Sequence, residues 1–319
     1  MLEVGQTIKE IRGIRPDAVP DEILASTEPL VLKGLVADWP FVRAGKKSVS
    51  AAAQYLLEFY SNATVGVCCA PPEKGGRLFY NDDVSGFDYD QGTAKLDQVL
   101  TEILRYENAD KAPSYYVGST TIDTCLPGFR EQNDVEFGDL NPLASIWLGN
   151  QSRIAAHWDL PDNLACCAVG RRRFTVFPPE QLENLYVGPL HLTPAGREIS
   201  LVDFHNPDYE KFPRFREAEK SAQVAEMEAG DALFLPSMWW HHIEGLDSFN
   251  VLVNYWWRQS PDYMGTPVNA LNHAILTIRD LPPEQRKIWH DIFQHYVFSA
   301  DQSSFEHIPE GARGQLAPI

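Results

Sequence analysis

Two histidines and an aspartate in this 319-residue chain have the side-chain types and the spacing that suit a metal centre. His157 and Asp159 lie two residues apart in the tripeptide His-Trp-Asp. Side chains at positions i and i+2 of an extended strand point to the same face, so this imidazole and this carboxylate would meet at one point. A second histidine from a distant strand would complete a two-histidine, one-carboxylate triad, which leaves coordination positions open on Fe(II). The His-Asp pair alone is weak evidence, because such short patterns recur by chance.

The candidates for the second histidine are His241 and His242, which follow a hydrophobic run and a proline in the segment GDALFLPSMWWHH. Adjacent residues on a strand face opposite sides, so at most one of the two is expected to join the triad. The alternative interpretation is a buried strand end that carries one structural histidine and no metal. The spacing by itself does not decide between these interpretations.

Four ordered segments of the chain resemble the JmjC or cupin-like oxygenases, which use Fe(II) and 2-oxoglutarate. These segments are HWD, NLACCAVGRRRFTVFPPEQLENLY, GDALFLPSMWWHHIE and NVLVNYWW. Within the family the likeness is greatest to the asparaginyl hydroxylase that modifies hypoxia-inducible factor, and it extends over about residues 29–258. The resemblance implies a mainly β fold, namely a double-stranded β-helix of the cupin or jelly-roll type with flanking N-terminal and C-terminal α-helices.

The resemblance also assigns roles to the histidines and the aspartate. His157, Asp159 and His241 match the three metal ligands of the family, because the family's distal ligand directly follows a Trp-Trp pair, as His241 does here. These three residues would therefore form the catalytic metal centre, with Fe(II) as cofactor and 2-oxoglutarate as cosubstrate. His242 is then expected to support the ligands from outside the ligand set or to be a structural residue.

Four further positions match residues of the family's 2-oxoglutarate pocket. Arg172 stands where the family has a lysine for the far carboxylate, and arginine can serve because it is always charged and pairs with carboxylates in a forked geometry. Asn163, Asn254 and Tyr116 match other pocket residues, although each could instead serve the fold as a turn cap, a strand-edge residue or a core side chain. Ile154 departs from the family, which usually has a hydroxyl donor to the carboxylate at this position.

The composition disfavours partners that are themselves anionic. The formal net charge is −17, so the surface would repel phosphate backbones and anionic lipid. We therefore expect a protein or small-molecule substrate, and neither nucleic acid nor membrane. The five cysteines form no CxxC pair, which favours reduced thiols and a cytoplasmic location. No apolar run is typical of a signal peptide or a membrane span.

The hydrophobic pattern divides the chain into two regions. Residues 1–262 are expected to form the cupin-like catalytic domain, with a short helical entry over residues 1–28, helices near 49–60 and 94–106, and many short strands from about residue 113. Residues 263–319 are expected to form a C-terminal helical segment that contains two amphipathic stretches. Their apolar faces would form a homodimer interface or be covered by the protein's own core, and both alternatives stay open.

Three functions therefore fit the sequence. The first is an Fe(II)- and 2-oxoglutarate-dependent dioxygenase that hydroxylates a protein side chain or a small molecule. The second is a non-catalytic, cupin-like metal-binding or interaction module, and the third is a metal cupin enzyme that does not use 2-oxoglutarate. Arg172 and Ile154 keep the alternatives open because both differ from the usual family residues. The substrate itself cannot be deduced from the fold.

Overall fold

A computed structural model describes residues 4–194, 196–261, 263–301 and 303–317 of the chain. The chain divides into two compact units, Met1–Gln259 and Ser260–Ile319. The strands found in the described residues all belong to the first unit, and the second unit is helical. None of the helices in the described ranges combines the length and the apolar character that crossing a bilayer requires.

The first unit is mainly β, and its strands are short. In chain order they are β1 (Gln6–Thr7), β2 (Lys9–Arg12), β3 (Leu30–Lys33), β4 (Thr64–Ala70), β5 (Arg77–Leu78), β6 (Asp90–Lys95), β7 (Ser114–Thr121), β8 (Leu143–Gly149), β9 (Ser152–His157), β10 (Asp162–Val169), β11 (Arg172–Phe177), β12 (Gln223–Met227), β13 (Ala232–Leu235), β14 (Trp240–Gly245) and β15 (Asn250–Trp257). The short strands and frequent turns agree with the many short strands predicted from about residue 113 onward.

The strands form two sheets. The smaller sheet has the order β1-β12-β11-β14-β9-β5, and the larger has the order β2-β3-β13-β10-β15-β8-β7-β4-β6. Between β8 and β15 the chain passes back and forth, because β8, β10, β13 and β15 lie in the larger sheet and β9, β11, β12 and β14 in the smaller one. This connectivity confirms the predicted double-stranded β-helix of the jelly-roll type.

Strand β10 shows how the sequence supplies two hydrophobic layers. Its eight residues are all buried, as expected for a strand that is covered on both faces. Ala165 and Cys167 belong to the core cluster between the two sheets. Leu164 and Cys166 belong to the cluster that also contains residues of the covering helices. The adjacent cysteines therefore face different layers, because successive side chains of a strand alternate.

Six α-helices lie in the described residues of the first unit. They are α1 (Asp21–Leu24), α2 (Pro40–Lys47), α3 (Val49–Phe59), α4 (Leu96–Arg105), α5 (Ile122–Cys125) and α6 (Phe215–Ser221). The predicted helices near 49–60 and 94–106 are confirmed as α3 and α4, and α3 begins where the Ser48 hydroxyl accepts a hydrogen bond from the Ala51 amide.

The expected helical entry over residues 1–28 is wrong for most of its length. Residues 6–12 instead form β1 and β2, which pair in parallel with β12 and β3. Among residues 4–28, which the structure describes, only the single turn α1 is helical. The two sheets offer free edges to this segment, and such tertiary pairing overrides a weak local preference.

The second unit contains α7 (Pro267–Thr277) and α8 (Pro283–Phe293), and α8 continues as one π-helical turn over Gln294–Phe298. Neither α7 nor α8 contains a buried residue. Leu276 is 83% exposed, and Trp289 is 42% exposed. Large apolar side chains are thus uncovered on both helices.

Candidate metal centre

The structure brings together the three side chains that were predicted to bind a metal. His157 is the last residue of β9, Asp159 follows two residues later, and His241 is the second residue of β14. The two strands are antiparallel neighbours, and His157 and His241 are directly opposite partners. One ligand atom from each of the three side chains lies within 4.8 Å of the other two, and no other such group was found among the described residues.

The hydrogen bonds of the two imidazoles leave their Nε2 atoms available as ligands. Nδ1 of His157 lies 2.9 Å from the carbonyl oxygen of Ala155, and Nδ1 of His241 lies 2.9 Å from that of Trp239. A carbonyl oxygen can only accept, so each Nδ1 carries the proton and donates it. Each Nε2 then bears a lone pair, which is the tautomer that second-shell carbonyl groups impose on metal-binding histidines.

The protonation states of His157 and Asp159 also suit a divalent cation. Burial, followed by the neighbouring His241, lowers the pKa of His157 to about 4, so this imidazole is neutral near pH 7. Burial alone would raise the pKa of Asp159, but the nearby imidazoles of His241, whose Nε2 lies 3.6 Å from Asp159 Oδ2, and of His157, together with Arg197, outweigh it and lower the pKa. His157 therefore offers a neutral imidazole and Asp159 an ionised carboxylate, and neither must first lose a proton to bind a cation.

A β-bulge brings Ile154 to the same cavity as His157. The register shifts between the pairs His241–His157 and Ile243–Ile154, so β9 uses three residues where β14 uses two. Without this bulge, residues three apart on β9 would face opposite sides of the sheet. The isoleucine that replaces the family's hydroxyl residue is 8% exposed and lies in the cavity wall.

The cavity has a volume of about 290 Å³ and contains a buried, unpaired cation. Arg172, at the start of β11, lines it and is only 2% exposed. Within the described ranges no carboxylate forms a salt bridge with its guanidinium, and its Nε atom has no hydrogen-bond partner. Burial lowers the pKa of Arg172, yet a guanidinium does not deprotonate in proteins. A buried charge of this kind is costly unless an anion completes the site.

The other three residues predicted for the 2-oxoglutarate pocket also line this cavity, namely Tyr116, Asn163 and Asn254. Tyr116 lies close enough to Arg172 for the guanidinium to act on its pKa, although burial dominates and raises that pKa. The amide of Asn254 donates to Asn163 Oδ1 over 3.4 Å and accepts from Trp147 Nε1 over 2.8 Å. The two asparagines thus form a short polar chain along the cavity wall.

Trp147 was missed by the sequence analysis, as were Ile243, Cys68 and Tyr89, which also line the cavity. Ile243 could have been found, because it lies two residues after His241 and therefore on the same face of β14. Cys68 lies on β4, in the part of the larger sheet beyond the double-stranded β-helix, and Tyr89 directly precedes β6 of that part. No local pattern reveals that this extension folds against the metal strands.

His242 faces away from the metal, as the alternation along β14 predicts. Its ring packs on Phe204 with 4.9 Å between ring centroids, and neither ring nitrogen has a hydrogen-bond partner among the described residues. Burial, followed by the charge of His205, lowers the pKa of His242 to about 3. This imidazole is therefore neutral, and its N–H group is buried without an acceptor.

Replacing His242 with Phe is expected to keep metal binding and to raise the free energy of unfolding by about 1 kcal/mol. A buried donor without an acceptor costs stability, and a phenyl ring can pack on Phe204 without that cost. The measurement is urea-induced unfolding of the apo forms together with Fe(II) stoichiometry. A variant that loses the metal would assign His242 as a ligand and contradict the present assignment of His241.

Comparison with known proteins places the chain beside a group of cupin-like proteins. The sequence profile of a protein family described as "cupin-like domain" matches residues 16–263. The mouse protein named "tRNA wybutosine-synthesizing protein 5" is 30% identical over 318 residues, which is 91% of this chain and 94% of the relative.

Two relatives are named as lysine-specific demethylases. Lysine-specific demethylase JMJ31 of Arabidopsis thaliana is 32% identical over 174 residues, which is 52% of this chain and 31% of the relative. Lysine-specific demethylase 8 of Xenopus tropicalis is 29% identical over 248 residues, which is 74% of this chain and 49% of the relative. The chain therefore spans half or less of these demethylases and nearly all of the mouse protein.

Proposed function

Because this chain belongs to the cupin-like domain family, we propose that it is an Fe(II)- and 2-oxoglutarate-dependent oxygenase. The observation that carries the proposal is the combination of a His157-Asp159-His241 group with an unpaired, buried Arg172 in one cavity. The first suits a divalent iron with open coordination positions, and the second suits the far carboxylate of a dicarboxylate. The two features together favour this function over a metal cupin that does not use 2-oxoglutarate.

Iron and 2-oxoglutarate, when bound, would supply the activation of O₂ for attack on a substrate C–H bond. His157 and His241 would hold the iron through their Nε2 atoms, and the Asp159 carboxylate would offset part of its charge. Arg172 and Tyr116 would fix the far carboxylate of 2-oxoglutarate. Apolar walls such as Ile154 and Ile243 would exclude water, which strengthens these electrostatic contacts.

We propose that only a small part of the substrate, such as one side chain, enters the cavity. A volume of about 290 Å³ is at the lower limit for ligand pockets, and the cosubstrate would occupy part of it. A protein side chain or a small molecule fits this requirement. The names of the two demethylase relatives refer to lysine, and asparagine is the alternative proposed from the sequence resemblance alone. We therefore propose hydroxylation of a protein side chain as the first reaction to test.

A modified tRNA base is a second candidate substrate, favoured by the match along nearly the whole length of the mouse tRNA wybutosine-synthesizing protein 5. The net charge of −17 opposes it, since phosphate backbones would be repelled. Incubation with total tRNA and with peptide pools, followed by mass spectrometry, separates the candidates. A mass increase of one oxygen atom in a nucleoside would favour the tRNA candidate over the protein side chain.

The reaction class is tested by succinate formation. The purified protein is incubated with Fe(II), 2-oxoglutarate and air without added substrate, and many oxygenases of this kind turn over slowly in that state. We expect succinate that depends on all three components and that disappears in the Asp159→Ala variant. If iron binds with one-to-one stoichiometry but neither 2-oxoglutarate binding nor succinate can be detected, the proposal fails. That outcome would favour the non-catalytic module or the metal cupin without 2-oxoglutarate.

We further propose that the chain acts in the cytoplasm. All five cysteines are free thiols, and Cys125, Cys166 and Cys167 are buried. Proteins of reducing compartments keep their thiols in this state.

The second unit is proposed to form a homodimer. Both α7 and α8 expose large apolar side chains, and Trp289 on α8 is the largest of them. Large exposed apolar surfaces usually mark interfaces. We expect light scattering at micromolar concentration to give twice the chain mass of 36.0 kDa. Trp289→Asp should then yield the monomer, whereas a mass of one chain for the unaltered protein would contradict the proposal.

A further inference from the structure

A second cluster of charged side chains lies on the outer face of the smaller sheet, behind the metal strands. Arg153 belongs to β9 and Glu244 to β14, and these residues are directly opposite partners. Arg77 belongs to β5, the edge strand next to β9. The remaining members, Asp203 and His205, come from the segment that leads to α6. We call Asp203–His205 the outer brace.

The outer brace contacts three neighbouring strands at once. Asp203 Oδ2 lies 3.4 Å from Arg77 Nη1, and Asp203 Oδ1 lies 3.5 Å from Arg153 Nη1. His205 donates through Nε2 to Glu244 Oε1 over 2.5 Å, and its amide donates to Asp203 Oδ1 over 2.9 Å. Asp203 thus bridges β5 and β9, and His205, two residues later, contacts β14.

The position of these contacts matters because the hydrogen-bond ladder between β9 and β14, the two strands that carry the histidine ligands, is irregular. The bulge lies between the His241–His157 pair and the Ile243–Ile154 pair, and the next pair along is Glu244–Arg153. Backbone hydrogen bonds are disrupted at a bulge, so the strand separation at the ligands is less firmly set by the ladder. The outer brace joins the side chains of the Glu244–Arg153 pair, directly beyond the disruption.

The partnership of Glu244 and His205 also has an energetic basis. Glu244 is 5% exposed, and a buried carboxylate needs a hydrogen-bond donor or a cation. His205 supplies the donor and is anchored by Asp203, which itself bridges two arginines. Loss of the Asp203 side chain would leave Arg153 on β9 poorly compensated, and loss of the His205 side chain would do the same to Glu244 on β14. Either loss would permit the two strands to shift.

We propose that Asp203 and His205 are positioning residues, which hold β9 and β14 at the separation that His157 and His241 need to bind one metal ion. This inference rests on the proposed metal centre and adds to it a part of the chain that touches neither the metal nor 2-oxoglutarate. Partners outside the ligand set typically change metal affinity by 10–100-fold. The effect acts on metal affinity and ligand geometry more than on overall stability.

Co(II) is the probe for this inference, because its visible absorption reports the geometry of its ligands. His205→Ala is expected to raise the dissociation constant for Co(II) by about 10–100-fold and to change the spectrum of the bound ion. His205→Gln retains a side-chain N–H donor for Glu244 and should restore most of the affinity. Asp203→Asn keeps an acceptor for the His205 amide but weakens both ion pairs, so it should show a smaller increase of about tenfold.

The matched control is Glu226→Ala, which removes the 3.6 Å ion pair between Arg173 and Glu226 on β11 and β12, two strands that carry no ligand. Its Co(II) affinity and spectrum should equal those of the unaltered protein, even if the melting temperature falls. The proposal is overturned if His205→Ala and Glu226→Ala bind Co(II) equally well, or if His205→Gln brings no recovery. If His205→Ala does not fold, the proposal is tested with Asp203→Asn and His205→Gln instead, again by the Co(II) dissociation constant and the spectrum of the bound ion. An unaltered protein that binds no Co(II) would refute the metal centre, and the outer brace with it.

Discussion

Replacing His157 with Ala is expected to abolish stoichiometric binding of Fe(II) and to leave the fold largely intact. The variant loses one of three ligands, and its affinity should fall by more than about 100-fold, since even partners outside the ligand set cost 10–100-fold. The side chain makes one hydrogen bond, to the Ala155 carbonyl, so the cost to stability should be only about 1 kcal/mol. Anaerobic equilibrium dialysis with metal analysis measures the binding, and circular dichroism measures the fold.

The matched control for this variant is His242→Ala, which removes an imidazole next to a ligand but on the opposite face of β14. It should retain one Fe(II) per chain, because the His242 ring lies against Phe204 outside the cavity. Unchanged iron stoichiometry in His157→Ala would refute the assignment of the ligands. Equal loss in both variants would show that the distinction between His241 and His242 is unjustified.

Replacing Arg172 with Leu is expected to raise the concentration of 2-oxoglutarate needed for half-saturation by about 100-fold or more, with no change in Fe(II) stoichiometry. Loss of one partner from a buried charge pair costs about 2–5 kcal/mol, and each 1.4 kcal/mol is a factor of ten. The apo protein should at the same time become more stable by about 1 kcal/mol or more, because an unpaired buried charge is replaced by an apolar side chain. Calorimetric titration and thermal unfolding provide the two measurements.

Two further variants make the test of Arg172 specific. Arg172→Lys should retain much of the binding, since a lysine keeps the charge that the related enzymes use. Arg173→Leu removes the adjacent guanidinium, which points to the outer face and pairs with Glu226, and it should leave 2-oxoglutarate binding unchanged. An Arg172→Leu variant with an unaltered 2-oxoglutarate requirement would mean that another cation holds the carboxylate.

The parts of the molecule that the sequence predicted are those with a strong local pattern. The alternation of side chains on a strand placed His157 and Asp159 together and put His241 and His242 on opposite faces. Helices α3 and α4 followed from hydrophobic spacing of 3.6 residues. The choice of His241 as the third ligand came from the family resemblance, and the pairing of β9 with β14 was seen only in the structure, because no local pattern specifies a partner 84 residues away.

The parts that escaped prediction depend on contacts between distant segments. The bulge on β9, which brings Ile154 into the cavity, is visible only in the register between β9 and β14, and no pattern within β9 alone predicted it. Residues 6–12 were expected to be helical but pair with two sheet edges. His205 lies in sequence without a periodic pattern and was not singled out, and its contact with Glu244 depends on how the segment before α6 folds back over β14.

The most direct test of the central claim is an anaerobic titration of the unaltered protein with Fe(II) and then with 2-oxoglutarate, followed by visible absorption. Chelation of an Fe(II) ion by the oxo-acid end of 2-oxoglutarate produces a metal-to-ligand charge-transfer band, which neither partner shows alone. The account predicts that this band develops and saturates at one Fe(II) and one 2-oxoglutarate per chain, and that it is absent in His157→Ala. Binding of Fe(II) without any such band at saturating 2-oxoglutarate would contradict it.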